Sequence, residues 1–216
     1  MGNLLKKILV QHGKYILLLI IIYHQTQCDD TKIIVDTLSK KDIPNAVAIN
    51  GKIVDGIKWK DKIGVHCIAI SEVTQKEICE PGFKSQLFAL QYSFKDTTIT
   101  IDWKIQDFGS NECEHVYYLK QSLRIVDIEN NGIGEPRFFY EFGHDCCDPL
   151  IVKYILHVKD NKLAIRGKIP MHEDDNKLYE KNIDKAFQNY SKIYSDFASK
   201  DWDDFVKNHY DILRIK

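Results

Sequence analysis

Apolar and polar side chains alternate with period two along several segments of this chain, and this pattern constrains the fold more than any other feature. In TITIDWKI, the alternate positions Ile99, Ile101, Trp103 and Ile105 are expected to share one face. The segments QLFALQYSF, LIVKYILHV, KLAIRG and RFFYEF behave similarly. Such alternation is typical of half-buried strands. Because only the short turn signals DKIG, KD, NNG and KDN separate the segments, the sequence predicts an antiparallel meander.

The pattern changes its period near the C terminus. From Asn182 to Tyr210, apolar side chains recur at steps of three and four, which predicts an amphipathic helix, or two helices broken near Tyr190 or Lys200. We expect the apolar stripe to pack on the sheet, and a partner-binding helix is the alternative. The predicted fold class is therefore α+β: an antiparallel β-meander sheet or open barrel with a C-terminal helix packed on it.

The N-terminal 28 residues have the composition of an export signal. Basic residues precede an apolar run from Tyr15 to Tyr23, and a polar stretch follows. This order is typical of a secretory signal peptide, and the run is shorter than the roughly 20 residues of a spanning helix. An uncleaved, tilted anchor is the alternative. Cys28 stands where bacterial lipoproteins carry their lipidated cysteine, although an ordinary signal peptide with an incidental thiol also fits.

These observations predict four segments in the chain. Residues 1–27 form a signal peptide, 28–45 a tether with at most one short strand, 46–172 an antiparallel β domain and 173–216 a helical segment. The predicted location is the cell envelope, where a lipoprotein anchored in the membrane through lipid faces the periplasm or the cell surface.

The charge balance excludes one class of partner, and the motif content argues against several enzyme classes. The 216 residues include 30 Lys and Arg against 31 Asp and Glu, with no basic stripe. Nucleic-acid binding needs such a stripe, so we expect no nucleic-acid partner. The sequence also has no G-x-S-x-G, P-loop, G-x-G-x-x-G or H-E-x-x-H motif, so an enzyme is not favoured.

Export would place the cysteines in an oxidising environment, where thiols form disulfides. The candidates besides Cys28 are Cys67, Cys79, Cys113, Cys146 and Cys147. Cys67 could pair with Cys79, and Cys113 with Cys146 or Cys147. The loop GHDCCDP also allows a zinc site or a Cys–His nucleophile that uses His144 with Cys146 or Cys147. A disulfide with turn residues is the favoured interpretation.

The stretch DIENNGIGE has two interpretations. Asp127, Glu129, Asn131 and Glu135 carry side-chain oxygens around a glycine, and the carbonyl of Ile133 offers another, which suits calcium. Position 12 of a full EF-hand loop would be Phe138, so a full EF-hand is excluded. The alternative is a hairpin turn, because NNG is a strong turn signal.

Three stretches together resemble a family of bacterial envelope lipoproteins labelled surface polysaccharide biosynthesis proteins. GIKWKDKIG is similar to that family's W-x-D-x-x-G hairpin, through Trp59, Asp61 and Gly64. DIENNGIGE is similar to its D-x-D-x-D-G-x-x-E loop, with Glu129 as a departure, and GHDCCDP replaces its C-R-S-D-x-S-P loop. YSKIYSDFASKDW is similar to its final helix.

The resemblance implies a function in making or exporting surface glycans. We therefore expect an exported, lipid-anchored, non-catalytic envelope protein that assists surface polysaccharide biosynthesis or export, with envelope proteins or surface glycan as partners. The alternative is a calcium-stabilised module that binds a glycan or a protein.

Overall fold

The computed structural model describes residues 32–74, 81–96, 98–111, 113–143, 149–170 and 176–215. The expected signal peptide and Cys28 lie outside these residues. The strands are β1 (Ile34–Thr37), β2 (Lys52–Asp61), β3 (Gly64–Val73), β4 (Gln86–Lys95), β5 (Thr98–Phe108), β6 (His115–Tyr118), β7 (Arg124–Val126), β8 (Glu135–Gly143), β9 (Leu150–Val158), β10 (Asn161–Ile169) and β11 (Glu180–Ile183). Helix α1 spans Lys192–Ile215, and short 3-10 helices cover Lys40–Asp42, Asn176–Leu178 and Lys185–Asn189.

The described strands form two open antiparallel sheets. The first sheet has the order β1-β2-β3-β4-β5, which is a meander in chain order. The second has the order β11-β10-β9-β8-β6, and β7 also pairs with β8. These two open sheets and α1 together confirm the predicted α+β class.

The main core lies between the two sheets. Trp59 and Ile68 of the first sheet pack in one buried cluster with Phe138, Tyr140 and Ile155 of the second sheet. The alternation in the sequence supplies these side chains, because every second residue of each strand points to the same face. The result is a sandwich whose inner faces are apolar.

Helix α1 covers the other face of the second sheet. Ala198 and Trp202, both fully buried, pack there against Phe139 and Tyr154. Gly167 makes this approach possible, since a Cβ at that position would lie 2.8 Å from Trp202 Cζ2. The sequence predicted a helix that packs on the sheet, and the break expected near Tyr190 is present, because a 3-10 helix ends at Asn189 before α1 begins.

The segment before β2 packs on the outer face of the first sheet. Val47 lies in a buried cluster with Cys67, Leu90 and Tyr92, and the Tyr92 hydroxyl donates to the Asp42 carbonyl at 2.8 Å. The sheets also extend past the predicted segment boundaries at 45/46 and 172/173, because β1 precedes the first boundary and β11 follows the second.

Strand β5 does not alternate as the sequence predicts. A register shift lies between the pairs Gln91↔Trp103 and Tyr92↔Ile101, so Asp102 is an extra residue in β5. Ile99 consequently packs on the outer cluster, whereas Trp103 and Ile105 pack between the sheets. The expectation that all four apolar residues share one face is wrong. The extra residue of a β-bulge shifts the alternation, so the apolar side chains on its two sides point to opposite faces of the sheet.

Candidate functional site

Three connections between strands meet around one pocket. They are the β2–β3 turn with Ile63, the β7–β8 loop with Ile133 and the β9–β10 turn with Lys159. We call it the loop-end pocket; it encloses about 120 Å³. Its lining includes Ile63, His66, Gln91, Ile133, Pro136 and His157.

The carboxylate of Asp61 organises the β2–β3 turn. Its Oδ1 accepts hydrogen bonds from the backbone N–H groups of Ile63 at 2.9 Å and Gly64 at 3.2 Å. Its Oδ2 accepts from the indole Nε1 of Trp59 at 3.1 Å. A short acceptor that bonds to backbone N–H groups two and three residues later is typical of an Asx turn. The side chain of Asp61 is 1% exposed, so these bonds replace its hydration.

The same carboxylate reaches the β7–β8 loop. The backbone N–H of Gly134 donates to Asp61 Oδ2 at 3.0 Å, and the N–H of Lys62 donates to the carbonyl of Gly132 at 2.9 Å. Only glycine fits at position 134, because an added Cβ would lie 2.9 Å from Nε1 of Trp59. Two stretches far apart in sequence thus form one unit around Trp59.

His66 lies between two carboxylates. Its Nε2 is 3.2 Å from Asp61 Oδ1, and its Nδ1 is 3.9 Å from Asp102 Oδ2, which is an ion-pair distance rather than a hydrogen bond. Burial alone would lower the pKa of His66, but Asp102 and Asp61 outweigh it and raise the pKa to about 9. Asp102 is itself held by Gln91 Nε2 at 3.0 Å and Ser93 Oγ at 2.8 Å.

The charge of His66 also acts on its partners. Burial alone would raise the pKa of Asp61, but His66 and the backbone N–H groups of Gly134 and Ile63 lower it to about 2. The pKa of Asp102 is lowered as well, by His66, Ser93 and Gln91 against the effect of burial. The group is therefore a cation between two anions near neutral pH.

The β7–β8 loop is held by its own hydrogen bonds. Asp127 accepts from the backbone N–H of Asn131 at 2.9 Å and of Gly132 at 2.8 Å, and Asn131 Oδ1 accepts from the N–H of Ile133 at 2.9 Å. Asn130 and Gly132 have φ values of 52° and 79°, which asparagine and glycine tolerate best. Asn130 and Gly132 therefore supply the turn chemistry expected from NNG.

Glu135 connects this loop to helix α1. Its carboxylate is buried, accepts from the N–H of Ile128 at 3.1 Å and faces the hydroxyl of Tyr194 at 3.4 Å. Burial first, and then the neighbouring charges of Asp127 and Glu129, raise the pKa of Glu135 to about 7. The final helix thus meets the loop at a carboxyl group that carries only part of its charge at neutral pH.

The predicted calcium ligands lie in one loop, but their side chains do not converge. Asp127 faces backbone N–H groups, Glu129 Oε2 accepts from Asn131 Nδ2 at 3.0 Å, and Glu135 faces the protein interior. Within the described ranges, no group of three or more His, Cys, Asp or Glu side chains could hold a metal ion. Ile133 lines the pocket instead. The calcium interpretation of this loop therefore stays a prediction.

Several site residues are not predicted from the sequence. Gln91 and His157 line the pocket and are buried, and the ring of His157 stacks on Trp103 at a centroid distance of 4.3 Å. Burial lowers the pKa of His157 to about 4, so this ring is neutral. His66 and Asp102 likewise stand in segments whose sequence resembles that of ordinary strands. Only the resemblance of Trp59, Asp61 and Gly64 to a hairpin motif could have pointed to this site.

The cysteine candidates lie apart from the pocket or outside the described residues. Cys67 is a free thiol, fully buried on the outer face of the first sheet, so its prediction as a disulfide candidate is wrong. The apolar cluster around it already fills its surroundings. Cys113 is disulfide-bonded. The remaining candidates, with His144, lie outside the described residues: Cys28, Cys79, Cys146 and Cys147.

The surroundings of His66 differ from those of a general base. A histidine that acts as a general base needs one free nitrogen near a nucleophile. Here His66 has a carboxylate on both sides, and the neighbouring Ser93 hydroxyl donates to Asp102. The charges therefore stabilise the floor of the pocket and do not activate a nucleophile among the described residues.

The pKa of His66 predicts a specific loss of stability at alkaline pH. In the unfolded chain the pKa is near 6.5 and in the folded chain about 9. The stabilisation is therefore complete below pH 6.5 and is lost as the pH rises to 9, by on the order of 3 kcal/mol. Urea unfolding at both pH values measures this difference.

The variant His66→Gln is the control for this prediction. It should be less stable than the wild-type protein at pH 6.5 and should lose less stability between pH 6.5 and pH 9. Equal pH dependence in the two proteins would show that His66 is not charged between its two carboxylates.

Comparisons with known proteins give no relative from which the role of this site could be inferred. Neither a protein-family model, nor a curated protein, nor a solved structure matches this chain. Among the helical residues that the structure describes, no helix is long and apolar enough to cross a membrane. The resemblance to surface polysaccharide biosynthesis proteins therefore stays a prediction.

Proposed function

We propose that this chain is an exported, lipid-anchored, non-catalytic envelope protein that assists the biosynthesis or export of surface polysaccharide, and that it acts by binding through the loop-end pocket. One observation supports this proposal most: the three stretches that carry the family resemblance meet at this pocket. Asp61 of the W-x-D-x-x-G stretch accepts from Gly134 of the loop, and Glu135 faces Tyr194 of the final helix.

The rigidity of the pocket supports a binding role. Its floor consists of buried side chains that hydrogen bonds and ion pairs hold in place, as for Asp61 and His66. Its rim carries Ile63, which is 64% exposed at the tip of the β2–β3 turn. An exposed apolar side chain above a fixed polar floor is a common arrangement in binding sites. The partner would be surface glycan or another envelope protein.

Deletion of the coding sequence in its host tests the function. We expect the deletion to abolish most of the surface polysaccharide, measured on purified envelope material, and the wild-type sequence to restore it. The variant Ile63→Asp should fail to restore it, because a carboxylate at the rim opposes burial against a partner.

A matched variant separates the pocket from the rest of the surface. Ile53→Asp changes another isoleucine, which is 38% exposed near the start of β2, at the opposite end of that strand from the β2–β3 turn, and should restore the polysaccharide. Normal polysaccharide in the deletion strain would overturn the function. Full restoration by Ile63→Asp would overturn the role of the pocket.

A calcium-stabilised module that binds a glycan or a protein is the second candidate. The observation that favours it is electrostatic: after burial, the charges of Asp127 and Glu129 help to raise the pKa of Glu135 to about 7. A divalent cation would relieve this repulsion. Binding would require the three side chains to turn toward one another, away from their present partners.

Thermal unfolding of the purified protein with EDTA and then with calcium tests this candidate. A ligand at about 100 times its dissociation constant stabilises the native state by roughly 2.7 kcal/mol. We expect that rise in the wild-type protein, its loss in Asp127→Asn and its retention in Asp160→Asn, which changes an exposed carboxylate in the β9–β10 turn. An unchanged midpoint in the wild-type protein would remove calcium from the account.

A further inference from the structure

The outer face of the first sheet exposes apolar side chains at both of its margins. Residues that lie opposite each other on antiparallel strands share a face. Ile34 at one margin stands in the row that ends at Phe94, and Ile101 at the other margin lies opposite Tyr92. Phe94 and Tyr92 belong to the outer cluster, so both isoleucines are on the outer face. Ile34 is 54% and Ile101 is 37% exposed.

The same face carries lysines that point to solvent. Lys60 pairs with Ile34 of β1, and Lys104 pairs with Leu90 of the outer cluster. Two more lysines belong to the 3-10 helix that covers the middle of this face. The four exposed lysines are Lys40, Lys41, Lys60 and Lys104.

Acidic side chains do not balance these lysines. Of the described acidic residues on this face, Asp42 is bound to a fifth lysine, Lys58, at 2.8 Å. Asp36 lies opposite Lys58 in β1. Five lysines thus face two aspartates, although the whole chain is close to neutral. The outer face combines exposed apolar side chains with an excess of positive charge.

The chain reaches this face from the segment that carries the expected membrane anchor. Strand β1 begins at Ile34, six residues after Cys28. An extended chain spans at most about 3.6 Å per residue, so a lipid on Cys28 would keep Ile34 within roughly 20 Å of the bilayer. All four residues of β1 are exposed. The margin of the outer face is therefore the described surface that such an anchor holds nearest to the membrane.

Charge and composition select among the partners that this face can meet. Lysines attract negatively charged headgroups, while apolar side chains enter the boundary between headgroups and acyl chains. A second copy of the chain would bring the same lysines against one another, which opposes association. A neutral glycan would leave the lysines without a counter-charge. One lipid chain alone binds a membrane weakly, and a basic surface is a common second signal for stable attachment.

We propose that the outer face of the first sheet lies on a bilayer that contains negatively charged lipids. Ile34 and Ile101 contact the headgroup boundary, and the exposed lysines face the lipid phosphates. This inference rests on the proposed function, because it needs the anchored location. It turns helix α1, on the far side of the sandwich, toward the solvent.

Tryptophan fluorescence of the full-length protein in vesicles tests the proposal. Ile101→Trp places a reporter on the outer face, and Ile193→Trp replaces an isoleucine that is 43% exposed at the start of α1. Lipids brominated on their acyl chains quench a tryptophan that reaches the headgroup boundary. We expect them to quench Ile101→Trp more than the wild-type protein in vesicles that contain phosphatidylglycerol, but not in phosphatidylcholine alone. Ile193→Trp should add no quenching. The reporter reads the face itself, so attachment through the N-terminal segment does not mimic the result.

A double charge reversal tests the lysines. A lysine beside an anionic surface strengthens binding by about fivefold, so Lys60→Glu with Lys104→Glu should weaken docking by about 25-fold or more and remove the added quenching of Ile101→Trp. High salt should remove it as well. The control, Lys185→Glu with Lys207→Glu, changes two exposed lysines in the last 3-10 helix and in α1 and should keep the quenching.

Three results would overturn the proposal. They are equal added quenching of Ile101→Trp and Ile193→Trp, added quenching of neither, and quenching that the double reversal leaves unchanged. An emission of Ile101→Trp that shifts with protein concentration in the absence of lipid would place a second copy on this face and would also overturn it. Ile34→Trp, at the other margin, repeats the test if Ile101→Trp does not fold.

The outcomes separate this inference from the proposed function. A deletion strain without surface polysaccharide, combined with an unquenched reporter, would leave the function standing and overturn the membrane face. A quenched reporter that depends on the lysines, combined with normal polysaccharide in the deletion strain, would support the membrane face and overturn the proposed function.

Discussion

The buried carboxylate of Asp61 is the interaction on which the rest of the site depends. An ionised carboxylate away from water is costly unless hydrogen bonds and an opposite charge replace its hydration. Here the indole of Trp59, several backbone N–H groups and His66 supply that replacement. Because Gly134 is one of the donors, the same carboxylate holds the β7–β8 loop against the β2–β3 turn.

The layers around this group explain why the pocket is rigid. The two sheets share an apolar core, and the Tyr140 hydroxyl donates to Asp107 at 2.8 Å, which ties β8 to β5. Helix α1 is fixed to the second sheet by Trp202 and by the ion pair of Arg137 with Asp201 at 3.0 Å. Binding groups held on such a framework lose little freedom when a ligand arrives, which favours affinity without movement.

Local patterns predicted much of the fold, and contacts between distant residues account for what they missed. Alternation and short turns predicted the meander, and the change of period predicted a C-terminal helix, with a break near Tyr190 or Lys200 as an alternative. The bulge at Asp102 follows from pairing with β4, which no local pattern reveals. The contact of Asp61 with Gly134 joins residues far apart in the chain, so the two motifs could be recognised separately but not as one site.

Hydrogen exchange of individual backbone amides in Asp61→Asn tests the central claim most directly. An asparagine cannot accept on both sides, so the loop should separate from the turn while the sandwich persists. We expect the amide of Gly134 to lose protection and the amide of Trp202 in α1 to keep it. Unchanged protection at Gly134, or an equal loss at both amides, would contradict the claim that Asp61 joins the two stretches.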